Sequence, residues 1–214
     1  MKIGIIGSGN LAGSLGKCWE QIGHEVLFGT ENSDHLQSVL NAVGKKNAVV
    51  FSVNDVFEAN ADAYLLAMPF KSIEKLAERY AGTYEGKIII DATNPDPDLD
   101  GAIADEVLKA NYNASEYTAV KFSTAKIVKA FNTIAPEDLE TETFRSHHQI
   151  AIPYAVQDAE SKHVVEKLIQ DIGFDAFYIG DLSHTNIMDP HQALYRKSLE
   201  RPELKRLIES ARIF

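Results

Sequence analysis

Lys2-Ile3-Gly4-Ile5-Ile6-Gly7-Ser8-Gly9-Asn10-Leu11-Ala12 is the stretch that decides the fold. Residues 2–6 form a short apolar run rich in β-branched side chains, which suits a strand buried within a parallel sheet. Beyond the run, Leu11, Leu15, Cys18 and Ile22 recur at helical spacing, so the helix that follows has one apolar face. The turn between strand and helix reads G-x-G-x-x-A. In that pattern Gly7 permits a tight turn, Gly9 lets a pyrophosphate approach the backbone, and Ala12 is small enough for helix to pack on strand. The helix N-terminus adds unpaired N–H groups and a partial positive charge. In this setting the turn reads as a dinucleotide cradle, against the plainer reading of a glycine-rich packing turn.

The chain has 214 residues, a hydrophobic fraction of 45% and a formal net charge of −10. That length suits one large domain, or a domain with a small appendage. The acidity argues against a nucleic-acid partner, because phosphate backbones are bound by basic faces. A dinucleotide needs only local complementarity. The one cysteine, Cys18, allows no disulfide within a chain and reads as a small core residue on the first helix. The first strand begins at Lys2, which leaves no room for a signal peptide, and no apolar run approaches the ~18 residues of a membrane span. A cytoplasmic protein with no membrane partner is the expectation.

Further apolar runs at 25–28, 48–53, 63–68, 87–92 and 126–131 alternate with helical patterns. This rhythm implies an α/β fold, a Rossmann-type doubly wound parallel sheet. The loops after residues 6, 28, 68 and 92 then line one cleft at the carboxyl ends of the strands. Glu31 follows the second strand, about 20 residues past the glycine turn, where an acid hydrogen-bonds the adenosine ribose. Its other reading is a first-turn acid of a helix marked by Leu36, Val39, Leu40 and Val43. Thr30 could donate to a ribose hydroxyl or to a 2′-phosphate, and positive charge nearby comes only from His35, Lys45 and Lys46.

Asp96-Pro97-Asp98-Leu99-Asp100-Gly101 opens like a calcium-binding loop, but Val107 stands where the twelfth-position acid belongs. The stretch reads as an acidic, solvated loop. Glu140 to Arg145 is polar and turn-like and closes a nucleotide-binding domain of residues 1–145. Residues 146–214 form a small C-terminal α/β extension. It holds a strand at 150–154, a helix with Val165, Leu168, Ile169 and Ile172 inward, a strand at 175–179 and a polar C-terminal segment. Asp158 reads as the cap of that helix, and Gly173 as the residue that ends it.

Proton donors for the cleft are few. Lys129 sits in a strand and could face either way, and the adjacent His147 and His148 point to opposite faces of an extended chain. His184, Asp189 and His191 are ligand-type residues, yet no metal site is expected from them, and no Ser-His-Asp or Cys-His arrangement stands out. This scarcity suits a flavin-like acceptor, which takes hydride into its own ring and needs alignment more than acid–base help.

G-S-G-N-L at 7–11, A-M-P at 67–69, D-A-T-N-P at 91–95 and K-A-F-N-T-I at 129–134 together resemble the NADP oxidoreductase family dependent on coenzyme F420, a deazaflavin. The wider group includes predicted dinucleotide-binding reductases and the cytosolic domain of six-transmembrane metalloreductases. Val156 to Asp158, Gly173-Phe174-Asp175 and Gly180-Asp181-Leu182 also fit its pattern. The resemblance implies an NAD(P)-dependent oxidoreductase moving hydride between nicotinamide and a deazaflavin, a flavin or another small acceptor, with the C-terminal segment covering the nicotinamide cleft. A homodimer is expected. Gly7, Ser8, Gly9, Asn10 and Leu11 would hold the pyrophosphate, and Thr30 would contact the adenosine ribose or its phosphate. Ala67, Met68 and Pro69 would flank the coenzyme, and Asn94 with Ala130 would approach the nicotinamide; for Asn94 the alternative is simple Asn-Pro turn chemistry. NADP-using members carry arginine directly after the Thr30 position. Here Glu31 stands there and the next basic position falls at His35, so NAD and NADP both remain open. Two other functions stay in view: an imine-, pyrroline- or hydroxyacid-type reductase, and a non-catalytic NAD(P)-binding sensor.

Overall fold

The computed structural model describes residues 1–31, 49–109 and 113–211. Within them the strands are β1 (Lys2–Ile6), β2 (Glu25–Gly29), β3 (Val49–Phe51), β4 (Ala63–Leu66), β5 (Ile88–Asp91), β6 (Lys126–Ala130), β7 (Ala151–Val156) and β8 (Asp175–Gly180). They form one sheet in the order β3-β2-β1-β4-β5-β6-β7-β8. The first six strands are parallel and follow the doubly wound order. β7 runs antiparallel to β6, and β8 runs parallel to β7. The expected doubly wound parallel sheet is formed by β1 to β6, and β7 and β8 continue the same sheet with their direction reversed. Between β6 and β7 lies only one short helix, α7, defined below. The chain can thus return directly from the carboxyl ends of the strands, a connection that suits an antiparallel pair and not a parallel crossover.

The helices are α1 (Asn10–Gln21), α2 (Val53–Glu58), α3 (Ile73–Arg79), α4 (Pro97–Asp100), α5 (Ala102–Lys109), α6 (Ala114–Lys121), α7 (Pro136–Glu142), α8 (Ala159–Asp171) and α9 (Arg201–Ala211). Short 3-10 helices lie at Phe70–Ser72 and Leu182–Met188. Side chains alternate across the sheet, as a pleated backbone requires. Along β4, Ala63 and Leu65 join a cluster with Trp19, Phe28 and Leu168, whereas Tyr64 and Leu66 join Val56, Phe70 and Phe122 on the other face. Trp19 Nε1 donates to the Leu168 carbonyl at 3.0 Å, which ties α1 to α8 across more than half the chain. Cys18 is buried in the first cluster.

Local chemistry explains most of the boundaries. Ser52 leaves the expected third strand to cap α2, accepting from the Asp55 N–H at 3.2 Å. Asp158 caps α8 through Ser161 N, and Gly173 follows that helix with φ +85°. Two expectations are corrected. The stretch read as turn-like at 140–145 overlaps α7, where Pro136 sits in the first turn and Leu139 is the fully buried residue. One buried apolar side chain in two turns leaves no periodicity to read. The acidic loop read as solvated is the one-turn helix α4, and Asp100 is buried because it accepts from Lys71 N at 3.0 Å and Asp96 N at 2.9 Å. His35, Lys45, Lys46 and the helix expected around Leu36 to Val43 lie outside the described residues. Among the described residues no helix is long and apolar enough to cross a membrane.

Candidate functional site

A cavity of about 730 Å³ opens at the carboxyl ends of β1, β4 and β5, the switch point where doubly wound sheets bind ligands. The strand ends are stitched together there. Gly7 N donates to Gly29 O at 3.0 Å, Ala67 N to Ile6 O at 2.9 Å, and Ala92 N to Leu66 O at 3.1 Å. Gly7 has φ +140°, and a Cβ on it would lie 2.0 Å from the Ala67 carbonyl oxygen. No side chain fits at that position. Gly9 differs: it is the extended N-cap of α1 (φ −81°, ψ 177°), and a Cβ would meet nothing within 4 Å. No side chain caps α1, and its first turn carries no acid. An uncapped helix N-terminus therefore faces open space, the arrangement that accepts a pyrophosphate.

The expected residues converge on this cavity. Gly7, Ser8, Gly9, Asn10 and Leu11 form one wall; Thr30 and Glu31 stand at the end of β2; Ala67, Met68, Pro69 and Asn94 close the side beyond β4 and β5. Ala130 does not join them, because it is fully buried in the core of β6. Ser72, Lys75 and Leu76 line the cavity from the start of α3, and Pro136 and Tyr195 reach it from later in the chain. Sequence reading missed these five. Tyr195 lies far along the chain from every motif, and Lys75 sits in a helix whose apolar spacing drew attention only to its buried face.

Two side-chain clusters fix the ends of the cavity. At the β2 end, Glu31 Oε1 accepts from Arg79 Nη1 at 2.7 Å and from the Tyr80 hydroxyl at 3.0 Å. At the β5 end, Asn94 Nδ2 donates to Asn132 O at 2.9 Å. Asn132 Nδ2 in turn donates to Asn94 Oδ1 at 3.0 Å and to Met188 O at 2.9 Å. Asn94 thus ties the loop after β5 to the loop after β6, and Asn132 ties that loop to the C-terminal 3-10 helix. This is more than turn chemistry.

Comparison with known proteins bears directly on this cradle. Residues 2–95, from the first strand to the Asn94-Pro95 turn, match the family described as NADP oxidoreductase, coenzyme F420-dependent. This stretch, under half of the chain, is similar to that family. Rat metalloreductase STEAP3 is 27% identical over 185 residues, covering 85% of this chain and 34% of that protein. The chain thus spans about a third of the length of that curated relative. Among solved structures, the hypothetical protein SMa0349 from Sinorhizobium meliloti superposes with a TM-score of 0.79 at 21% identity, covering 94% of this chain and 96% of that one. A protein from Arthrobacter sp. FB24, assigned as an F420-dependent NADP reductase, superposes with a TM-score of 0.71 at 24% identity, covering 87% of each chain. These two show the shared fold, which extends over most of the chain.

At the ends of β5 and β6 lies a buried charge network. Lys129 and Asp91 are both fully buried, with Nζ 3.2 Å from Asp91 Oδ2 and 2.6 Å from the Thr93 carbonyl. Asp91 also accepts from Thr93 N and Oγ1 and from Thr118 Oγ1. Lys129 therefore faces into the protein and does not line the cavity. His148 pairs with Glu200 at 2.9 Å and His184 with Asp181 at 3.0 Å, both on the surface. No histidine lines the cavity among the described residues. Among the described residues no three His, Cys, Asp or Glu side chains gather in a group that could hold a metal ion.

Asp189 is buried beside this network. Its Oδ2 lies 3.5 Å from Ala114 N, and its Oδ1 has no partner. Burial pushes its carboxyl up to about 6, opposed by the nearby Lys129 charge. The native state then holds a proton that the unfolded chain releases between the ordinary carboxylate range and that value. Stability falls as pH rises through this window, by about 3 kcal/mol for this group. Asp189→Asn should match the parent at pH 4 and exceed it by roughly 2–3 kcal/mol at pH 7 in urea unfolding. Parallel pH profiles for the two proteins would contradict the assignment.

Proposed function

We propose that this chain is an NAD(P)-dependent oxidoreductase that moves hydride between the nicotinamide and a flavin-type acceptor, deazaflavin or flavin, or another small molecule. The observation that carries the reading is the uncapped N-terminus of α1, opening through Gly9 onto a cavity of about 730 Å³. That volume lies within the range of small-molecule sites. When bound, the coenzyme supplies the hydride donor or acceptor; the residues of the chain supply placement. Backbone N–H groups of Ser8 to Leu11 would hold the pyrophosphate, while Thr30 and Glu31 border the adenosine ribose. Ala67, Met68 and Pro69 flank the dinucleotide, and Asn94, braced by Asn132, sets the floor at the nicotinamide end. Ala130 is left out of the proposed set. Tyr195, Pro136 and Leu99 give that end a partly apolar rim, which suits the face of a ring-shaped acceptor. Alignment then does most of the catalytic work.

Titration with NADH and NADPH, followed by oxidation assays with flavin, deazaflavin, quinone and imine acceptors, tests the proposal. Saturable binding with turnover of a flavin-type acceptor is the expected result. Binding without turnover of any acceptor would favour a nucleotide sensor, and turnover confined to imines would favour the imine reductases. Absence of saturable binding to either coenzyme would sink all three.

A further inference from the structure

Glu31 directly follows Thr30 at the end of β2, where its charge would repel a 2′-phosphate. The structure supplies the missing positive charge from another element. α3 packs across the cavity from the end of β2, and Ser72, Lys75 and Leu76 all line the wall. Lys75 and Arg79 are four residues apart on this helix, so their side chains share one face. Arg79 Nη1 is bonded to Glu31 Oε1 at 2.7 Å, and the Tyr80 hydroxyl donates to the same oxygen at 3.0 Å. The Glu31 charge is thus neutralised where it borders the cavity. Lys75 is exposed, and no carboxylate among the described residues pairs with it. A guanidinium carries five N–H donors and suits a phosphate as well as a carboxylate.

We infer that Lys75 and Arg79 form the 2′-phosphate subsite of this chain, so that NADP(H) is bound despite Glu31. The inference rests on the proposed coenzyme site and adds to it which coenzyme is preferred and which helix selects it. In this arrangement the 2′-phosphate approaches between Lys75 and Arg79, with the Ser72 hydroxyl on the same wall. Both cations are exposed and neither closes a core contact, so replacing them leaves the fold intact.

Lys75→Met, Arg79→Leu and Glu31→Gln should be compared with the parent by titrating NADPH, NADH and adenosine 2′,5′-bisphosphate, each protein first checked by thermal melting. The Lys75 and Arg79 variants are expected to lose about tenfold or more in affinity for NADPH and for the bisphosphate, while NADH affinity changes less than about threefold; a tenfold loss corresponds to about 1.4 kcal/mol. Glu31→Gln should tighten binding of NADPH and of the bisphosphate relative to NADH. Equal losses for NADPH and NADH in the Lys75 and Arg79 variants, or no rise in the NADPH-to-NADH affinity ratio in Glu31→Gln, would overturn the subsite and leave the dinucleotide reading standing. Parent protein that binds neither coenzyme would overturn both.

Discussion

Gly9→Asp is expected to leave the protein as stable as the parent, or slightly more so, and to weaken NAD(P)H binding by about 100-fold or more. The two halves of this result have separate causes. Gly9 already has the extended backbone of a helix N-cap, and nothing lies within 4 Å of where its Cβ would stand. Aspartate is a preferred N-cap, and its charge suits the helix dipole, for a gain of up to about 1 kcal/mol. The same carboxylate would sit in the path of the pyrophosphate. Two like charges about 4 Å apart repel by ~4 kcal/mol at an effective dielectric of 20, which even after partial screening exceeds two decades in affinity. Gly9→Ala, with bulk but no charge, should lose less. Isothermal titration beside a thermal melt reads both quantities, and undiminished coenzyme affinity in Gly9→Asp would remove the cradle from the site.

Lys129→Met is expected to cost stability and not a proton-transfer step. Removing the ammonium leaves Asp91 charged and fully buried, and breaking such a pair costs about 3–5 kcal/mol. That is a large share of the ~5–15 kcal/mol that holds a typical domain together. Thr93 and Thr118 still donate to Asp91, so the loss should fall short of unfolding. The double variant Lys129→Met with Asp91→Asn removes the orphaned charge and should recover much of the loss in urea unfolding. If Lys129 served as a proton donor in the cavity, the single variant would keep its stability and lose turnover, the reverse pattern.

The cradle and the sheet were the most legible features. β1, the G-x-G-x-x-A turn and α1 are consecutive in the chain, and their hydrophobic periodicities and turn glycines report local backbone needs. The inward face of α8 was readable for the same reason: Val165, Leu168, Ile169 and Ile172 are all fully buried. The convergence of Thr30, Ala67 to Pro69 and Asn94 on one cavity followed from the rule that doubly wound sheets gather their loops at the carboxyl ends. α7 and α4 were misread because Leu139 stands alone as a buried apolar side chain and because a buried aspartate looks like a solvated one in sequence. The reversal of β7 escaped notice, since an apolar run carries no sign of its direction.

Taken alone, the order of residues determined a glycine turn at the first strand-to-helix junction and a parallel sheet behind it. Both depend on backbone conformations and periodic burial among near neighbours. Only the tertiary structure decided what faces Glu31, which way Lys129 points and what braces Asn94. Those answers rest on contacts between residues 48 positions apart for Arg79 and Glu31, and 38 apart for Lys129 with Asp91 and for Asn132 with Asn94. A charge reveals its role only through the groups packed against it, and packing brings together partners that chain order keeps apart.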